Sequence, residues 1–155
     1  MAQPNDVVIS VGPTGFRTEI TARGHTLIAD EPIELGGGNE GPTPYDYLAA
    51  SLGACTAMTL RIYANRREWP LEGVRITMRH SRVHEKDCED CASRPVGIDQ
   101  LEREIELSGP LTEEQHAGLM RIADRCPVAQ TLERGIRVVP ARPATPTGLD
   151  ASDGS

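Results

Sequence analysis

Four cysteines stand at three places in this 155-residue chain, and each place suits a different chemistry. Cys55 lies in "SLGACTAM", a run of small residues that reads as the middle of a helix. The field of a helix N-terminus fades within its first turn, so a nucleophilic Cys55 needs a nearby cation. Without one it is a small packing residue, as most free cysteines are. Cys126, in "RCPVAQ", directly precedes Pro127, which puts it at or beside the N-cap of the next helix. Unsatisfied N–H groups there favour a negative charge on sulfur, and Arg125 adjoins it. A small cap residue at a helix junction is the alternative. Cys88 and Cys91 form a CxxC pair among Asp87, Glu89 and Asp90, whose charges disfavour a thiolate and suit a bound cation. With His80 and His84 the pattern becomes H-x3-H-x3-C-x2-C, a four-ligand inventory for tetrahedral zinc. A solvated acidic loop with two incidental thiols is the competing reading.

The elements that must carry these residues are well punctuated. "DVVISVG", "GFRTEIT" and "GHTLIAD" read as three short strands separated by Gly-containing turns. "EPIELGGGNEGPTP" follows, a Gly- and Pro-rich stretch expected to be irregular and flexible. It lacks the Lys-Ser/Thr that a phosphate loop needs. Thr43 as N-cap, Pro44 at the first helical position and Asp46 as the cap acid predict a helix running to about Arg67. On it Tyr45, Leu48, Leu52, Cys55, Thr59 and Ile62 form one stripe. Ala49, Gly53, Ala57, Leu60 and Ala64 form a second stripe of mostly small side chains, open to a close neighbour.

Beyond Pro70 the period becomes two. Val74, Ile76 and Met78 oppose Arg75, Thr77 and Arg79, and in "IDQLEREIELSG" Leu101, Ile105 and Leu107 oppose three glutamates. Antiparallel pairing would set arginines against glutamates. Thr112 and Gln115 make a capping box for a helix to about Arg125. Pro127 starts a short helix ending at Gly135, and "IRVV" reads as a last strand. The domain is expected to span residues 1–139, with 140–155, rich in Pro, Ala and Ser, a disordered tail.

Composition removes several classes of function. A formal charge of −7 gives no basis for nucleic-acid or membrane-surface binding. No apolar run is long enough to span a bilayer, and "MAQPNDVVIS" has neither the basic nor the apolar region of a secretory signal. A cytoplasmic protein is expected, in which thiols serve reactivity or metal rather than a disulfide framework.

"GPTPYDYLAASLGACTAMTLRIYA", followed at a distance by "RCPVAQTL", resembles the OsmC/Ohr family of peroxide-detoxifying proteins, over roughly residues 5 to 139. The resemblance implies an α+β fold in which antiparallel sheets wrap two long central helices of an intertwined homodimer, with two active sites at the interface. It implies Cys55 as the thiol that attacks an organic hydroperoxide and becomes a sulfenic acid. Cys126 then resolves that acid to a disulfide, which a dithiol or dithiol protein reduces. No cofactor is required. Tyr45, Leu48, Leu52 and Ile62 are the candidate substrate-binding residues.

Peroxidase members of the family pair an N-terminal arginine with a glutamate near the start of the first helix. Arg17 and Arg23 are both candidates for the arginine, and Arg23 is preferred because it lies nearer the loop into the helix. The glutamate's place holds Tyr45. Asp46 points about 100° away from it on a helix and is read as serving the cap. The competing function is a non-enzymatic metal-binding or redox-responsive protein on the same scaffold, with zinc held by His80, His84, Cys88 and Cys91.

Overall fold

The computed structural model describes residues 6–84 and 97–144. β1 (Val7–Val11), β2 (Thr18–Ala22) and β3 (His25–Ala29) form an antiparallel sheet in the order β1-β2-β3. The β2–β3 turn is Arg23-Gly24, both left-handed at φ 51° and 82°, as a two-residue hairpin requires. The long helix α1 (Pro44–Arg66) follows. β4 (Gly73–His84) and β5 (Gly97–Ser108) then form a second antiparallel sheet, and α2 (Glu113–Ala123) and α3 (Pro127–Arg134) close the chain. The mixed architecture with antiparallel sheets agrees with the expectation from sequence. Among the described residues there are one long α-helix and two short ones.

The Gly-rich stretch is more ordered than its composition predicts. Ile33–Leu35 make one turn of 3-10 helix. The Asp30 carboxylate, 2% exposed, accepts from the backbone N–H groups of Glu31, Gly38 and Glu40 at 2.8, 3.0 and 3.2 Å. At Gly37 a Cβ would lie 1.9 Å from the Glu31 carbonyl oxygen, so only glycine fits the fold-back. The Glu31 N–H, ahead of the burial that opposes it, holds the Asp30 carboxyl below its ordinary value of 3.8. A folded-state pKa below the unfolded one stabilises above about pH 4 and loses that contribution as pH falls through the folded value. Asp30→Asn is therefore expected to be less stable near neutrality. The difference in melting temperature from the parent should narrow steadily below about pH 4, and a pH-independent difference would contradict the carboxylate's role.

α1 begins as expected. The Thr43 hydroxyl accepts from the Asp46 N–H at 3.2 Å, and Asp46 Oδ2 accepts from the Thr43 N–H at 2.9 Å and from its hydroxyl at 2.8 Å. Asp46 is thus occupied by the cap. The β4–β5 register sets Arg75 opposite Glu106 and Arg79 opposite Glu102, and Arg79 pairs diagonally with Glu104 at 2.8 Å. The inner face of this sheet covers α1. One core cluster joins Leu60 and Ala64 of α1 to Leu71 and to Leu119 and Ala123 of α2. A second joins Leu52 to Cys126 and Ala129, with Met78 and Leu101 packed against it. The second cluster holds the chemistry.

The strand expected at "IRVV" is corrected. Residues 136–139 have no regular structure, and Ile136, Val138 and Val139 are exposed. A strand exists only with a partner ladder, and none of the described strands lies alongside this segment.

Candidate functional site

Cys55 and Cys126 are brought together, although α1 and α3 are distant in sequence. Cys55 is partly buried in the middle of α1, and Cys126 is fully buried at the N-cap of α3, where Pro127 takes the first helical position. The two thiols are neighbours in this cluster, close enough for each to shift the other's ionisation. For Cys126, burial alone would push the thiol up. Cys55, the N–H groups of Ala129 and Val128 and the Thr56 hydroxyl together outweigh it, and Cys126 ends below its ordinary 9.0. Burial and the neighbouring Cys126 push Cys55 up, against the Val128 N–H and the Thr59 hydroxyl. The two thiols are therefore pushed in opposite directions, and Cys126 is the more readily ionised of the pair.

An apolar cavity of about 460 Å³ lies against the same cluster. Leu48, Leu52, Leu101, Ala129 and Leu132 form its wall, and His80, Asp99, Gln100, Arg103 and Glu133 bring polar groups to it. Leu52, Leu101, Ala129 and Leu132 belong both to this wall and to the packing around Cys126.

Of the expected substrate residues, Leu48 and Leu52 line the cavity together. Tyr45 is half exposed and stacks on the His80 ring, with centroids 4.5 Å apart and planes at 10°. Ile62 faces a different recess, beside Thr59 and Arg125. The stripe spans eighteen residues of helix, from Tyr45 to Ile62, too long for one cavity to meet it all.

Of the two candidate arginines, Arg17 pairs with Glu40 at 2.8 Å and Arg23 forms the exposed hairpin turn. The expected zinc ligands divide similarly. His80 Nε2 meets Asp99 Oδ1 at 2.9 Å, His84 ends β4, and Cys88 and Cys91 lie outside the described residues. Among the described residues no group of three His, Cys, Asp or Glu side chains could hold a metal ion.

Two residues that the sequence reading passed over stand at the thiol pair. Thr56, next to Cys55, is fully buried, and its hydroxyl accepts from Arg103 Nη1 at 3.1 Å. Arg103 Nη1 also donates to the Ala123 carbonyl at 2.9 Å, and Nη2 to Asp124 Oδ1 at 2.9 Å. A signal was present. Arg103 shares the strand parity of Leu101, Ile105 and Leu107, so it is a charge on the core-facing side of β5.

A family model described as OsmC-like protein matches residues 37–140, and the chain belongs to that family. Solved structures agree on the fold. An organic hydroperoxide resistance protein OsmC from Legionella pneumophila is 22% identical, with 81% of this chain and 87% of that one covered, at a TM-score of 0.57. An organic hydroperoxide resistance protein from Elizabethkingia anophelis is 16% identical, with 84% and 89% covered, at 0.58. An OsmC-like protein from Mycoplasma pneumoniae is 16% identical, with 86% and 89% covered, at 0.60. No curated protein sequence matches the chain significantly. Among the described residues no helix is long and apolar enough to cross a membrane.

Proposed function

We propose that the protein is a thiol-dependent peroxidase that reduces organic hydroperoxides to alcohols. The observation that carries this is the packing of Cys55 and Cys126 in one cluster beside a largely apolar cavity. Two relatives of the same fold are organic hydroperoxide resistance proteins. In the singly ionised pair, Cys55 becomes the nucleophile when the shared proton moves to Cys126. Its sulfur attacks the terminal peroxide oxygen, the O–O bond breaks, and Cys55 becomes a sulfenic acid. The leaving alkoxide takes a proton, by way of solvent from Cys126, which is left as the thiolate. A dithiol or dithiol protein then reduces the disulfide that follows, as the family resemblance implies.

The functional unit in this proposal is an intertwined homodimer. No residue of β1 is buried, and Val7, Ile9 and Val11 lie open, as do Met58 and Ile62 on α1. A three-stranded sheet with an outermost strand bare on both faces calls for a partner, and so does the unpaired segment 136–139. In such a dimer the N-terminal sheet of one chain would cover α1 of the other, and Arg23 or Arg17 would reach a thiol pair from there.

Treating reduced protein with one equivalent of cumene hydroperoxide, then mapping peptides by mass spectrometry, tests the proposal. A rapid Cys55–Cys126 disulfide, formed in preference over a parallel hydrogen peroxide sample, is expected. Two free thiols would overturn it. In Cys126→Ser the sulfenic acid has no resolving partner, so Cys55 is expected to accumulate as sulfenic and then sulfinic acid, read as added mass on its peptide.

A further inference from the structure

The sulfenic acid on Cys55 is useful only if Cys126 reaches it before a second peroxide does. Cys126 lies at a junction between two helices, on a segment with little regular structure of its own, so something must hold it. Its backbone N–H makes only a long bond to the Ala123 carbonyl, 3.4 Å. That same carbonyl accepts from Arg103 Nη1 at 2.9 Å, and the neighbouring Asp124 carboxylate takes Nη2. The other end of the clamp is Thr56, on the turn of α1 that carries Cys55. One guanidinium from β5 therefore ties the segment leading into Cys126 to the helix bearing the other thiol.

We propose that Arg103 is the positioning residue for the second thiol, locking the α2–α3 junction to Thr56 so that Cys126 closes the disulfide on Cys55. The inference rests on the peroxidase reading for its chemistry. In that step a lone pair of the Cys126 thiolate attacks the Cys55 sulfur, the S–S bond forms and the S–O bond breaks. Hydroxide leaves and is protonated to water. The organic hydroperoxide has already supplied the oxidising equivalents.

Thr56 gives the clamp an electrostatic function as well. Its hydroxyl has a single proton, which goes to the Leu52 carbonyl at 2.9 Å, and the same hydroxyl helps to hold the Cys126 thiol down. Because Arg103 donates to the oxygen, Thr56 has no need to turn its own proton away from sulfur to satisfy the guanidinium. When Cys126 ionises, the hydroxyl can swing to it, polarised by the cation behind. Arg103 keeps only 16% of its side chain exposed, so this charge is poorly screened by solvent. Asp124, 77% exposed, offsets it only from the solvent side.

The experiment uses the full chain with Cys88→Ser and Cys91→Ser to silence the other pair. Cys55 oxidation by cumene hydroperoxide and disulfide closure are timed separately across a pH series. In Arg103→Met, closure relative to oxidation is expected to fall about ten- to a hundredfold, with its pH midpoint moved upward. Arg103→Lys, which restores the charge but not the fork, should recover part of both. An unchanged ratio and midpoint in Arg103→Met would overturn the inference. If that variant fails to fold, Thr56→Val, which removes only the hydroxyl, must show the same upward movement or the inference fails. If the parent protein's Cys55 resists the hydroperoxide, it is the peroxidase reading that has failed. The positioning claim is then decided by ultraviolet titration of the Cys126 thiolate in Cys55→Ser, with and without Arg103. A midpoint that ignores Arg103 would sink it.

Discussion

Cys55→Ser is expected to lower the turnover of cumene hydroperoxide, with dithiothreitol as reductant, on the order of 10³-fold or more, while leaving the protein folded. Serine nearly keeps the size and can still donate a hydrogen bond. It cannot become a sulfenic acid, and its hydroxyl ionises far above any working pH. Cys126 does not inherit the reaction, because it is fully buried at the α2–α3 junction, whereas Cys55 is only partly buried. Steady-state peroxide consumption measured beside a melting curve separates chemistry from folding. Full activity in a folded Cys55→Ser protein would remove the peroxidase proposal at its root.

The largest effect on stability is expected from Leu60→Ala. Leu60 is completely buried in the C-terminal half of α1, in a cluster with Ala64, Leu71, Leu119 and Ala123. Its smaller neighbours cannot expand into the space left behind, and Gly118 is already pressed against Trp69, where a Cβ would stand 2.9 Å from the ring. Truncation should therefore cost about 2–5 kcal/mol, a large part of the roughly 5–15 kcal/mol that holds an ordinary domain. Urea unfolding at fixed protein concentration reads this directly. The thiol pair belongs to the other cluster, so activity per folded molecule should change little. A loss below about 1 kcal/mol would mean that the α1–α2 contact is not where this fold keeps its stability.

Local signals were legible wherever a residue's role depends on its near neighbours. The Thr43 and Thr112 capping boxes, the Pro44 and Pro127 helix starts, and the alternation along β4 and β5 all follow from backbone chemistry within a few residues, and the structure reproduces them. The Cys126 cap was legible for the same reason. "IRVV" was misread because β-propensity describes a willingness to pair, and a partner edge is a tertiary fact. The Gly-rich stretch was misread because Asp30, one residue before it, collects three of its N–H groups across a fold-back that no local pattern reveals.

The site divides along the same line. By itself the sequence determined which residues could do chemistry and on which elements they stand: a thiol inside a small-residue helix and a thiol at a proline-started one. Those properties are set by residue type and short-range geometry. Only the tertiary structure decided that the two cysteines come together, that burial and their neighbours push the two thiols in opposite directions, and that Arg103 and Thr56 stand behind them. Each of these depends on distances between groups far apart in the chain, where burial and hydrogen bonding act on whatever the fold has brought together. Helical spacing placed Ile62 with Cys55 on paper, and packing assigned it to another recess. A stripe names a direction from the helix axis, and the neighbours along that direction change from one end of α1 to the other.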